Sequence, residues 1–153
     1  PTAESDGKAN LHQGGIGAGI DLITGVTTRG VQHNDSVDVH PDFETPVRDF
    51  QVPSWPEILD LASRLGHHIG LGYVGVDIVI CEHKGPTLLE LNARPGIAIQ
   101  TANLRGLRPL LLPIHELPSV PEDVKQRIEI AHANWNGESL ERFLAPGEEM
   151  RRH

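Results

Sequence analysis

The sequence lacks the features that mark several classes of protein. Cys81 is its only cysteine, so no intramolecular disulfide can form, and this cysteine usage is typical of intracellular proteins. No apolar run approaches the roughly 20 residues that span a bilayer. The formal net charge is -8, and no cluster of Lys and Arg stands out to displace counterions from nucleic-acid phosphates. We therefore expect a cytoplasmic protein without membrane or nucleic-acid partners.

What is present fits one soluble globular domain. Hydrophobic residues make up 38% of the chain and charged residues 22%, which argues against disorder. A chain of this length can bury roughly two thirds of its unfolded surface. It begins at Pro1, without an initiator methionine or a signal-peptide pattern. We therefore expect an excised fragment, whose binding site would be shared with a missing segment.

Hydrophobic periodicity and turn residues predict two hairpins and several helices. The predicted elements are a hairpin over Ile16 to Gln32 with its turn at Thr24-Gly25, a loop over residues 33 to 53, a helix from Ser54 to Ile69 that ends at Gly70 or Gly72, a second hairpin over Tyr73 to Ala93, and helices over Ile97 to Asn103 and Pro121 to Ala133. The apolar stretch Leu107 to Leu117 belongs either to the core or to an interface with the missing segment.

The second predicted hairpin carries the chemistry. Asp77 interrupts an apolar strand, and a carboxylate left buried without a partner would be costly. On the return strand Glu90 and Asn92 share one face, because side chains alternate with a period of two. If the turn centres on His83-Lys84, Asp77 lies opposite Glu90.

Two facing carboxylates and an amide oxygen form an all-oxygen ligand set. Such a set suits a hard cation such as Mg2+ or Mn2+, which completes its coordination with phosphate oxygens and water. The alternative is that Asp77, Glu90 and Asn92 line the solvated face of a half-exposed sheet. Spacing alone does not decide between the two, since a slip of one residue moves a whole strand to the other face.

Three segments of the sequence resemble the ATP-grasp superfamily, and in particular alpha-L-glutamate ligase-like proteins. GVDIVI (Gly75 to Ile80) and LLELNARPG (Leu88 to Gly96) resemble its paired magnesium-ligand strands. GKANLHQGG (Gly7 to Gly15) resembles the segment at which its glutamate ligases contact the nucleotide. The similarity covers roughly residues 1 to 105.

The resemblance implies a role for individual residues. It makes Asp77, Glu90 and Asn92 metal ligands, with Glu90 bridging two ions. It also implies the following contacts: Lys8 and Asn10 with the nucleotide, and Arg94 and the Gly96 backbone N-H with the reacting carboxyl group. The sequence departs from several members in having Gly75 where some ligases have an arginine, so Arg94, Gly96 or an unseen segment would stabilise the oxyanion. His12 would either approach the substrate or be a plain surface histidine.

The resemblance also implies a fold and a reaction. The expected fold is α+β, the C-terminal subdomain of an ATP-grasp domain, with an antiparallel sheet from two hairpins packed on helices. Residues 1-116 would form the C-terminal part of that domain and residues 117-153 a helical extension. The missing N-terminal ATP-grasp segment would supply the rest of the nucleotide site, so the fragment alone would be inactive.

The expected activity is that of an ATP-dependent carboxylate-amine ligase. It would use ATP and two Mg2+ or Mn2+ ions to add glutamate or a similar amino acid to a peptide, protein or small-molecule carboxylate, through an acyl phosphate, and it would release ADP and phosphate. A homo-oligomer is compatible with the sequence. The alternative is a nucleotide-binding or regulatory module that has lost turnover.

Overall fold

The computed structural model describes residues 1-96 and 99-143. Its elements in chain order are a 3-10 turn (Leu11–Gln13), β1 (Gly17–Ile20), β2 (Thr27–Gln32), β3 (Asp35–Val37), α1 (Trp55–Ile69), β4 (Gly75–Cys81), β5 (Gly85–Asn92), α2 (Ile99–Asn103), α3 (Arg108–His115), α4 (Val124–Trp135) and a second 3-10 turn (Glu141–Phe143). They fall into two compact units. Unit 1 comprises the described residues of Pro1–Trp55 and Pro95–Gly106, and unit 2 comprises Pro56–Arg94 and residues 107-143.

Unit 1 is built on the first predicted hairpin, which the structure confirms. Strands β1 and β2 pair antiparallel, and Gly25 in the connecting turn has a φ of 71°, which glycine adopts without steric cost. The Gly25 N-H donates to the Asp21 carbonyl at 2.8 Å, and the Asp21 carboxylate accepts from the Thr24 N-H at 2.8 Å. These bonds close the turn at the predicted place.

The predicted loop over residues 33 to 53 is wrong in one part, since Asp35–Val37 forms a third strand on β2. His33 and Asn34 make the two-residue turn between these strands, with φ values of 51° and 71°. Two left-handed residues in succession suit a tight hairpin turn. The strand was missed because three residues, two of them polar, are too few to show alternation.

Helix α2 fixes one face of the unit 1 sheet. The Asn103 side-chain oxygen accepts from the Ile20 N-H at 3.1 Å, where β1 has an irregularity in its register. A Cβ atom at Gly19 would lie 2.6 Å from the Ala102 carbonyl oxygen, so only glycine allows this close approach. The structure thus confirms the short helix predicted here, although residues 97 and 98 lie outside the described ranges.

Unit 2 contains the predicted amphipathic helix, and α1 ends at Gly70, which has a φ of 68°. The Arg127 guanidinium connects α4 to α1, since it donates to the Ser63 carbonyl at 2.8 Å and also to the Pro121 carbonyl. A small core forms where α4 meets the end of the described chain: Ile130, Ala133 and Leu140 are buried, and Ile114, Leu117 and Phe143 pack on them.

The fold class is α+β, as predicted, with antiparallel strands and helices. The expectation that the two hairpins share one sheet is wrong, since they form separate hydrogen-bonded sheets, one of order β1-β2-β3 and one of order β4-β5. The predicted C-terminal helix begins later than expected, because Asp123 caps it by accepting from the Gln126 N-H at 2.8 Å. The boundary after residue 116 stays a prediction.

Within the described ranges, no helix is both long enough and apolar enough to span a membrane.

Candidate metal and phosphate site

The hairpin of β4 and β5 places Asp77 directly opposite Glu90, which confirms the predicted pairing. Asn92 is opposite Gly75, two residue pairs further from the hairpin turn. Side chains two apart on a strand, and side chains facing each other across an antiparallel pair, lie on the same face of the sheet. The hairpin therefore presents Asp77, Glu90 and Asn92 on one face, and glycine leaves the position opposite Asn92 open.

A β-bulge at Leu89 produces this pairing. Near the turn Cys81 pairs with Gly85 and Ile78 pairs with Leu88, a register that would put Asp77 opposite Leu89 if it continued. The ladder shifts between Asp77 and Ile78, so that Leu89 is passed over and Glu90 takes its place. Bulges re-aim side chains in this way beside functional sites. The prediction centred the turn on His83-Lys84, whereas the observed ladder centres it on His83. The bulge makes up the difference, so the predicted pairing of Asp77 with Glu90 is still correct.

The two carboxylates have no cationic partner among the residues that the structure describes. In the part of the chain that the structure describes, no Lys, Arg or His side chain forms an ion pair with Asp77 or Glu90. Both residues are exposed. Like charges facing each other across a ladder destabilise it, so a cation bound between them would relieve the repulsion.

The Asn92 side chain is held by a local hydrogen bond. Its Oδ1 accepts from the Arg94 backbone N-H at 2.9 Å, and this contact turns the chain out of β5. A carbonyl oxygen has two lone pairs, so one remains for a further partner. The bond also identifies the oxygen of the amide, because only the oxygen accepts from an N-H group. Asn92 is therefore pre-oriented, whatever else it binds.

These residues fit a hard cation that retains several non-protein ligands. Two carboxylates and one amide oxygen provide only oxygen donors, as Mg2+ and Mn2+ prefer. Among residues 1-96 and 99-143 no group of three or more His, Cys, Asp or Glu side chains is arranged to hold a metal ion. A site here would therefore depend on phosphate oxygens or water for its other positions. The assignment of Asp77, Glu90 and Asn92 as metal ligands stays a prediction.

Arg94 and Gly96 follow β5 directly and are both exposed. A Cβ atom added at Gly96 would meet no heavy atom within 4 Å. Packing in the structure therefore does not require glycine at this position. The catalytic roles implied for Arg94 and Gly96 stay predictions.

Lys8 and Asn10 lie in unit 1, on a segment fixed by buried hydroxyl groups. Thr2 and Ser5 are buried and bonded to each other, and the Lys8 N-H donates to the Ser5 carbonyl at 3.1 Å. The Lys8 ammonium group is 3.7 Å from the Asp6 carboxylate, with both groups largely exposed, so this ion pair contributes little to stability. Its amine is available to a ligand at small cost.

Asn10 caps the 3-10 turn that follows it. Its Oδ1 accepts from the His12 N-H at 2.9 Å, and its carbonyl accepts from the Gly15 N-H at 2.8 Å. A Cβ atom at Gly15 would lie 2.7 Å from the Asn10 carbonyl oxygen. Asn10 therefore orients His12, a role that the sequence did not reveal. Contacts of Lys8 and Asn10 with a nucleotide stay predictions.

Asp60 and Arg64 form an exposed ion pair outside these residues. A side-chain hydrogen bond from Arg64 lowers the pKa of Asp60, and the same bond raises the pKa of Arg64. The two residues are four apart on α1, with Arg64 Nε 2.6 Å from the Asp60 carboxylate. The pair supports the helix and has no role in the candidate site.

Comparison with known protein families gives a match over a region that includes β4 and β5. A family model described as sugar-transfer associated ATP-grasp matches residues 1–116. Comparison with curated proteins found no match. Comparison with solved structures found none either.

Proposed function

Because the chain belongs to this ATP-grasp family, we propose that it contributes the metal-binding half of an ATP-dependent carboxylate-amine ligase. Family membership supports an ATP-dependent, ligase-like activity at a coarse level. The choice of a carboxylate and an amine as substrates, and of glutamate or a similar amino acid as the amine, is our proposal.

One observation carries the proposal, and it is the facing pair of Asp77 and Glu90 with Asn92 beside it. A purely structural hairpin gains nothing from two facing carboxylates that no described cation neutralises. A site for two divalent ions explains their presence, with Glu90 as the bridging ligand. The presence of all three proposed ligands favours an enzyme, and amino-acid-dependent ADP release would separate it from the alternative of a nucleotide-binding or regulatory module without turnover.

The chain's own residues would bind and orient the reacting groups. Asp77, Glu90 and Asn92 would hold the ions, and Lys8 and Asn10 would contact the nucleotide. Bound Mg2+ supplies neutralisation of the charge that develops on a transferred γ-phosphoryl group. The Arg94 guanidinium would hold the substrate carboxylate through paired hydrogen bonds, and the Gly96 N-H would donate to the oxyanion as it forms.

The proposed reaction has two steps. A carboxylate oxygen attacks the γ-phosphorus of ATP, and the bond between that phosphorus and the β-γ bridging oxygen breaks, so that ADP leaves and an acyl phosphate remains. An amine nitrogen then attacks the acyl carbon. The bond from carbon to the phosphate oxygen breaks, inorganic phosphate leaves, and the nitrogen loses a proton to give the amide.

The family description favours a second candidate for the substrate. It associates the family with sugar transfer, so the carboxylate or the amine would in this case belong to a sugar-containing molecule. Both candidates share the acyl-phosphate step and differ only in the molecules joined.

The test uses the full-length protein with MgATP, a panel of amino acids and hydroxylamine. We expect amino-acid-dependent release of ADP and inorganic phosphate, with an acyl hydroxamate formed when hydroxylamine intercepts the acyl phosphate. Arg94→Ala should slow the reaction, because it removes the guanidinium that would hold the substrate carboxylate, and it should leave the fold unchanged, because Arg94 is exposed. Release of AMP and pyrophosphate would refute the proposed mechanism, because that reaction places the developing charge on the α-phosphate.

A further inference from the structure

Unit 1 contains a cavity of about 260 Å³ that lies apart from the ligand strands and takes two of its lining residues, Leu11 and His12, from the segment that resembles the nucleotide-contacting one. Six residues line it: Leu11, His12, Val31, His33, Asn34 and Thr101. They come from three distant parts of the chain, namely the 3-10 turn, the end of β2 with its turn, and α2. The volume lies just below the roughly 300 to 1,000 Å³ of typical small-molecule pockets, so one small ring would fill it.

The turn between β2 and β3 contributes two polar side chains to this cavity at a conformational cost. His33 and Asn34 both have left-handed backbone angles, with φ values of 51° and 71°. Glycine would adopt these angles without the steric penalty that a Cβ atom brings. Glycine at these two positions would cost less conformational free energy, yet the turn has two residues with hydrogen-bonding side chains. Both side chains line the same cavity.

An exposed hydrogen bond orients one of these side chains. The His33 Nε2 is 2.8 Å from the Glu4 carboxylate, and Gln32 donates to the other oxygen of Glu4 at 3.3 Å. Because a carboxylate only accepts, the His33 Nε2 carries the proton and donates it. In the neutral imidazole this leaves Nδ1 as an acceptor. The Asn10 side chain fixes the backbone at His12, a second histidine of the lining, by accepting from its N-H at 2.9 Å.

The chemistry of the lining selects the class of ligand. The residues that line the cavity include no Lys, Arg, Asp or Glu, so nothing permanently charged is there to recognise an anion or a cation. Imidazole, amide and hydroxyl groups together offer both donors and acceptors of hydrogen bonds, as sugar hydroxyls do. Leu11 and Val31 add aliphatic surface that suits the C-H face of a pyranose ring.

We propose that this cavity binds one neutral monosaccharide ring. The inference bears on the sugar-containing substrate considered above but does not depend on the ATP reaction, because binding is measured without ATP or metal. The experiments therefore distinguish a failure of the sugar-binding proposal from a failure of the proposed ATP reaction.

The test titrates the full-length protein with the methyl α-glycosides of glucose, galactose and mannose, by calorimetry and saturation-transfer NMR. Inorganic phosphate and acetate serve as charged probes. We expect at least one glycoside to bind and neither anion to compete with it. Asn34→Gly and Thr101→Val should each weaken binding about tenfold, the loss of one well-placed hydrogen bond. Circular dichroism should show both variants folded, since Asn34→Gly relaxes the turn.

Glu44→Gly is the matched control. Glu44 is exposed, has a φ of 53° and does not line the cavity, so the change relaxes a left-handed residue without touching the proposed site. Its glycoside affinity should equal that of the parent protein. The proposal is overturned if no glycoside binds, if phosphate or acetate displaces the glycoside, or if the Asn34→Gly and Thr101→Val variants bind as well as Glu44→Gly does.

Discussion

Removal of one carboxylate from the facing pair should change the stability of the hairpin in opposite directions with and without Mg2+. Asp77 and Glu90 are partners across the β4-β5 ladder and have no described cationic neighbour. Asp77→Asn keeps the shape of the side chain and removes its charge. Without metal the variant should be more stable than the parent, since the repulsion is gone, and with metal the order should reverse.

The size of the effect follows from the geometry. Opposite side chains on an antiparallel pair are about 5 Å apart, and two exposed unit charges at that separation in water repel by about 0.8 kcal/mol. Physiological salt screens roughly half of this, so Asp77→Asn should gain about 0.4 to 0.8 kcal/mol without metal. Mg2+ at ten times its dissociation constant should stabilise the parent by about 1.4 kcal/mol and the variant much less.

The assay is amide hydrogen exchange, read by mass spectrometry on peptides that span β4 and β5. Local exchange reports the opening free energy of the hairpin, which a global unfolding curve would mix with that of other parts of the chain. Glu82→Gln is the matched control, because it removes one negative charge from the turn of the same hairpin without belonging to the pair. Its exchange should resemble that of the parent in both conditions.

One result would refute this reasoning. If Asp77→Asn and Glu82→Gln exchange alike in EDTA and are protected alike by Mg2+, the two carboxylates neither repel each other measurably nor share an ion. The hairpin would then carry an ordinary solvated face.

Three further predictions follow from other parts of the structure. In the full-length enzyme, Glu90→Gln should reduce kcat more than Asn92→Ala, because it removes charge from the proposed bridging ligand, and equal mild losses in steady-state assays would count against bridging. Gly25→Ala should destabilise unit 1 by about 2 kcal/mol or more in urea titrations, since its φ is 71° and the new Cβ would lie 2.4 Å from an indole ring. Arg64 lowers the pKa of Asp60, so their pair contributes helix stability that is fully present above the ordinary Asp pKa and lost as pH falls through the lowered one; circular dichroism of Asp60→Asn should show a weaker acid dependence.

The sequence predicted the elements whose residues repeat with a clear period. The apolar stripe from Ile58 to Ile69 predicted helix α1, and the single aspartate in an apolar run predicted which face of β4 carries the candidate ligand. Two features had no such signal. Asp35–Val37 is too short and polar to show alternation, and the apolar pair Leu88-Leu89 hides the bulge, since either residue could occupy a core position.

The parts of the site that depend on distant residues could not be predicted from local patterns. The unit 1 cavity joins residues near positions 11, 33 and 101, and only tertiary structure brings them together. The hydrogen bond that orients Asn92 is local, but it forms only because of the backbone conformation in which the chain leaves β5. Pro95 restricts the conformation of the residue before it but does not determine this path. By contrast, the pairing of Asp77 with Glu90 was accessible, because it needed only a hairpin and a period of two.

The central claim is that Asp77, Glu90 and Asn92 together bind divalent cations, and anomalous scattering from Mn2+ tests it most directly. Crystals of the full-length protein grown with Mn2+ and a non-hydrolysable ATP analogue should show anomalous peaks between these three side chains, with oxygen ligands at about 2.0 to 2.2 Å and Glu90 shared by two ions. Peaks at another site, or a hairpin in which Asp77 and Glu90 point to opposite faces, would contradict the account.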